Sequence, residues 1–115
     1  MSNIRKFLAA GTIIGDKVVN QQKEDIGKIE ELMISLSDGR IGYAVMSFGG
    51  VLGIGNKFFA IPWSTLHVDQ ENKCLVLNVD KKRLETAPGF DKNHWPDMSD
   101  EKWTTEINTF YQYKP

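Results

Sequence analysis

Asp91, His94 and Asp97 recur at every third position, and two carboxylates with an imidazole are a plausible donor set for a cation. Such groups hold a metal only when the backbone brings them to one point, and Trp95-Pro96 disfavours a regular helix through them. The spacing therefore assigns no metal site. His67 and Cys74 match no common zinc-ligand spacing, and Cys74 lies in the apolar run Cys74-Leu75-Val76-Leu77, where a small core residue is the simpler reading. Gly50, Gly53 and Gly55 superficially suggest a dinucleotide loop. Their order is reversed, however, and the chain that follows is a strand containing Pro62, not a helix whose N-terminus could meet a pyrophosphate. Gly55-Asn56-Lys57 is followed by Phe58 where a phosphate-binding loop needs Ser or Thr. The acid pairs Glu24-Asp25, Glu30-Glu31 and Asp100-Glu101 read as solvated charges in a turn, at a bulge and at a helix start. A catalytic carboxylate pair would instead need two environments that separate its pKa values. Ser64, in Pro62-Trp63-Ser64-Thr65, lacks the flanking glycines of a nucleophile elbow. No catalytic residue and no cofactor is predicted.

The elements that would position a site must fit in 115 residues, enough for one hydrophobic core. Apolar residues make up 41% and charged residues 25%, and the net charge of -1 gives the whole molecule no general attraction to nucleic acid or anionic lipid. The one basic cluster, Lys81-Lys82-Arg83, has no interleaved aromatics and reads as a solvated helical face. A single cysteine allows no internal disulfide and suits a reducing compartment. Arg5-Lys6 before Phe7-Leu8-Ala9-Ala10 is a poor secretory signal, because Gly11 and Thr12 interrupt the apolar run and Ile13-Ile14-Gly15-Asp16 leads into a strand. The apolar runs fall short of the ~20 residues that span a bilayer. A soluble cytoplasmic protein is expected.

Residues 17 to 80 read as short strands divided by turn chemistry. Lys17 to Asn20 is a brief strand, closed by Gln21 to Asp25. A longer one runs from Ile26 to about Leu36, with Leu32, Ile34 and Leu36 on one apolar parity and Ile29 on the other, which predicts a bulge at Glu30-Glu31. Asp38-Gly39 marks a tight hairpin turn. The strand Arg40 to Phe48 is apolar on both parities, so a further layer should cover it, either the C-terminal tail or a second subunit. Lys57 to Ile61, Leu66 to Val68 and Cys74 to Val79 complete a set that favours a small barrel over a parallel sheet. Lys81 to Leu84 is one helical turn, stopped by Ala87-Pro88-Gly89. A helix from about Ser99, capped by Asp97 or Ser99, would align Trp103, Ile107, Phe110 and Tyr111 as one aromatic stripe.

Several ordered motifs carry a resemblance to a known family. Ile26-Gly27-Lys28-Ile29-Glu30-Glu31-Leu32, Asp38-Gly39-Arg40-Ile41-Gly42-Tyr43-Ala44-Val45 and Phe48-Gly49-Gly50-Val51-Leu52-Gly53-Ile54-Gly55 are similar to the PRC-barrel family. So are Phe59-Ala60-Ile61-Pro62-Trp63-Ser64, Ala87-Pro88-Gly89-Phe90 and Trp95-Pro96. The resemblance spans about Ile13 to Pro96. It implies a mostly β fold, a small antiparallel β-barrel over residues 10–86, with a C-terminal helical extension over 87–115. Relatives of this kind include the cytoplasmic part of the reaction-centre H subunit and the C-terminal domain of a ribosome-maturation factor, which dock onto larger assemblies. The chain lacks the membrane helix of the first and the N-terminal barrel of the second, so it resembles the stand-alone bacterial members, and the family supplies no catalytic residue.

The expected function is therefore a non-enzymatic protein-interaction or scaffolding module, self-associating as a homodimer or higher oligomer. Its contact residues would be Val51, Leu52 and Ile54 in the glycine-rich loop, with Trp103, Ile107, Phe110 and Tyr111 on the helix. Trp63, Phe90 and Trp95 are expected to pack in the core or to anchor the C-terminal segment. An RNA- or ribosome-associated factor and a small-ligand or metal-binding domain are the alternatives.

Overall fold

The computed structural model describes residues 6–48 and 57–114. A single helical turn, α1 (Ala10–Ile13), precedes strands β1 (Lys17–Val19), β2 (Asp25–Ile34), β3 (Ile41–Ser47) and β4 (Lys57–Pro62). A 3₁₀ turn (Trp63–Thr65) leads into β5 (Leu66–Asp69) and β6 (Cys74–Leu77), followed by α2 (Lys81–Leu84), β7 (Phe90–Asp91) and α3 (Glu101–Tyr111). The seven strands form one sheet in the order β5-β6-β1-β2-β3-β4-β7.

Two expectations about this sheet are corrected. It is mixed rather than antiparallel, because β1 pairs parallel with β6, Val18 opposite Leu75 and Val19 opposite Val76. Strand direction is legible in sequence only where a short turn joins neighbours, and β1 and β6 are separated by the four strands between them. The hydrogen-bonded order is also open among the described residues, with β5 and β7 at its two ends instead of a closing pair. The inner faces nevertheless share one core, to which β1 gives Val18, β3 Ala44 and Met46, β4 Phe59 and Ile61, and β6 Leu75 and Leu77.

The bend that lets distant strands share that core begins in β2. Ile29 pairs with Met46 and Glu31 with Val45, so Glu30 is an extra residue and the predicted bulge is present. It allows Ile29 and Leu32, on opposite parities, both to be buried. Gly27 meets β3 so closely that a Cβ there would lie 2.4 Å from the Ser47 carbonyl oxygen, an approach only glycine permits.

Beyond Leu32 the parity reading fails. Ile34 is 58% exposed and Leu36 96% exposed. The strand ends at Ile34, and the apolar alternation continues into the hairpin with no layer opposite it among the described residues. The turn itself is wider than a two-residue hairpin: Ser35 N–H bonds to Arg40 O, and Gly39 N–H, at φ +75°, bonds back to Ser35 O. Asp38 contributes by accepting the Arg40 N–H.

Asn20 is the buried polar residue at the end of β1. Its Oδ1 accepts the backbone N–H groups of Gln22 and Glu24, and its Nδ2 donates to Glu24 Oε1 at 2.8 Å. A longer contact of 3.5 Å joins Nδ2 to the carbonyl oxygen of Val79. The β1–β2 turn is thus tied to the chain leaving β6.

Candidate interaction surface

The cap of α3 is Asp100, whose carboxylate accepts the Lys102 N–H. This replaces the expected cap at Asp97 or Ser99. Asp97 closes the preceding turn instead, accepting from Ser99 N and Oγ, and those two hydrogen bonds hold its carboxyl below the ordinary carboxylate range. Gln112, left-handed at φ 56°, ends the helix, with Tyr113 N–H bonded to Asn108 O.

The stripe on α3 faces the chain's own sheet. Ile107 and Tyr111 are in the core, while Trp103 and Phe110 are half-buried against it. Trp103 meets Tyr43 of β3 edge-on, ring centroids 5.2 Å apart, so the tail supplies cover for that strand. Arg83, read from sequence as part of a solvated basic face, lies over the Phe110 ring at 4.4 Å and donates to the Phe110 carbonyl oxygen at 2.5 Å. No spacing signal connects residues so far apart, and the contact becomes visible only when α2 and α3 are brought together. Of the four helix residues named as contacts, Trp103 and Phe110 retain exposed surface. Val51, Leu52 and Ile54 lie outside the described residues.

A second aromatic group joins the C-terminal segment to β4. Phe58, Phe90 and Trp95 contact one another with centroids 5.2 to 6.2 Å apart, and Trp95 Nε1 donates to Lys92 O. Phe90 sits opposite Phe58 in the β4–β7 pair. Phe90 and Trp95 thus anchor the segment, with Trp95 left 41% exposed, whereas Trp63 packs at the margin of the core.

The remaining candidates for chemistry stay apart. His94 Nδ1 is 3.8 Å from Asp91 Oδ1 on an exposed turn, and no cluster of three His, Cys, Asp or Glu side chains with metal-binding geometry occurs among the described residues. Glu30 accepts from Ser47 Oγ at 2.7 Å and has Lys28 Nζ 3.8 Å away, an arrangement that holds the bulge. Cys74 is buried, and burial pushes its thiol pKa up, away from the nucleophilic thiolate. An open crevice along α3 is lined by Thr105, Asn108, Thr109, Gln112, Tyr113 and Lys114, all from one helix and its tail, so no groups converge across it.

The exposed large apolar side chains among the described residues are Phe7 and Ile14 near the start of the chain, Ile34 and Leu36 on the β2–β3 hairpin, and Trp95 near β7. A mixed β sheet with a bulged long strand and a helix laid over it defines the class as a small, mostly β domain. Within that class the chain belongs to the PRC-barrel domain family, whose model matches residues 6–84. The match ends before β7 and α3. No curated protein matches the chain. No described helix is long and apolar enough to cross a membrane.

Proposed function

We propose that this domain is a non-enzymatic docking module that binds protein and self-associates. The observation that carries the protein-binding reading is the pair Ile34 and Leu36, exposed on the β2–β3 hairpin where alternation would have buried them. Apolar side chains grouped at the surface gain free energy when a partner removes them from water, about 1.5–3 kcal/mol for each one fully covered. The near-neutral charge and the single buried cysteine are in keeping with a cytoplasmic protein whose contacts are apolar rather than phosphate-directed.

The test is affinity capture from the native host with the wild type and an Ile34→Ser/Leu36→Ser variant, across a salt series. A protein retained by the wild type, lost by the variant and indifferent to salt is the expected result. Identical capture by both proteins, or capture of RNA that salt abolishes, would overturn it. Self-association is read separately by light scattering during size-exclusion chromatography. A monomer at several hundred micromolar would remove that part of the reading.

A further inference from the structure

We propose that β5 is a self-pairing edge, and that two copies of the chain join their sheets by antiparallel pairing of Leu66–Asp69 about Val68. This rests on the self-association reading above and names its surface. Among the described residues β5 has one hydrogen-bonded neighbour, β6, and stands at the end of the sheet. Its pairing with β6 runs from Leu66 opposite Leu77 to Asp69 opposite Cys74 without a register shift. Proline, bulges and inward-pointing charges commonly protect an edge from another strand, and β5 contains none of them. The other end differs, since β4 finishes at Pro62, has β7 along Lys57 and Phe58, and packs against α3.

The side chains fit a second copy on both faces. Leu66 and Val68 lie opposite the fully buried Leu77 and Leu75, yet are themselves half-buried, with no strand beyond them among the described residues. A symmetry-related β5 would continue the inner face with its own Leu66 and Val68. On the outer face, His67 lies opposite Val76 and Asp69 opposite Cys74, so neither has a charge-bearing cross-strand neighbour in its own sheet. Antiparallel pairing centred on Val68 sets His67 of each copy opposite Asp69 of the other, giving two reciprocal contacts. Centring on His67 would set the two imidazoles opposite each other and leave both carboxylates outside the pair. His67 is exposed and can donate in either protonation state. Asp69 accepts from the Asn72 side chain and backbone, which hold its carboxyl below the ordinary range, and its oxygens retain lone pairs for a further donor.

Four residues span only ~13 Å of strand, so the dimer is expected to be weak, on the order of tens of micromolar. Sedimentation equilibrium should compare the wild type with His67→Lys and His67→Glu. Opposite charges across a strand pair stabilise and like charges destabilise. His67→Lys should therefore dimerise at least as tightly as wild type, and His67→Glu about tenfold more weakly. Both variants should retain the wild-type unfolding midpoint, because His67 is exposed. Amide exchange on the unmutated protein supplies a second reading, with the β5 amides gaining protection as concentration rises. A dimer indifferent to His67→Glu, with no concentration-dependent protection in β5, would overturn the β5 edge while leaving self-association standing. A wild-type monomer at several hundred micromolar would overturn self-association itself.

Discussion

Tyr111 carries a buried hydroxyl with no hydrogen-bond partner among the described residues. An unmet buried donor costs about 1–3 kcal/mol, whereas its ring gains from contact with Phe110, centroids 4.8 Å apart. Tyr111→Phe keeps the ring and removes the unmet group, so it should raise stability by about 1 kcal/mol in urea or thermal unfolding. The same hydroxyl couples stability to pH. Burial raises its pKa far above the ordinary value, so the folded state disfavours the phenolate. Its contribution is fully present below the unfolded pKa of about 10 and is lost as pH rises through and beyond that value. Tyr111→Phe should fall less steeply than wild type in that window. Equal slopes for the two proteins would show that the hydroxyl is not buried as described. The sequence marked Tyr111 as part of a stripe, but not its unmet hydroxyl, because a missing partner depends on every neighbour at once.

At the scale of elements, local patterns were most readable where neighbours in sequence are also neighbours in space. The Glu30 bulge, the β5–β6 hairpin and the Lys81 to Leu84 turn all follow from short-range parity and turn chemistry. What the sequence left open was the destination of the α3 stripe, since a 3.6-residue period marks an apolar face but not what lies opposite it. The structure sets that face on the chain's own sheet, with Ile107 1% exposed. Ile107→Ala should therefore cost about 2–5 kcal/mol and appear as one cooperative loss in urea unfolding. A change below 0.5 kcal/mol would mean that α3 does not pack there. The short β7 and the 3₁₀ turn after Pro62 escaped sequence reading because two or three residues carry no period.

Across the whole molecule, family membership was legible because a string of motifs in a fixed order runs along most of the matched residues. Strand direction and closure were not, because they depend on which distant segments meet. The exposure of Ile34 and Leu36 was not legible either, since alternation alone made both look like core. Cys74 offers a global measure of integrity. Opposite Asp69 on β6 and buried, its thiol should react with an aromatic disulfide reagent only through opening of the structure, at a rate that rises with urea. Rapid native labelling at the free-thiol rate would contradict the burial.

The parallel pairing of β1 with β6 has a consequence for the order of events on the ribosome. β1 can take β2 as its first neighbour soon after synthesis, but its other edge remains open until β6 has been made. The Asn20 side chain likewise waits for a carbonyl 59 positions away. Contacts with long intervening loops close late and slowly, so the nascent chain passes through a stage in which β1 is an unprotected edge. During translation, one of the earliest strands synthesised is among the last to be enclosed.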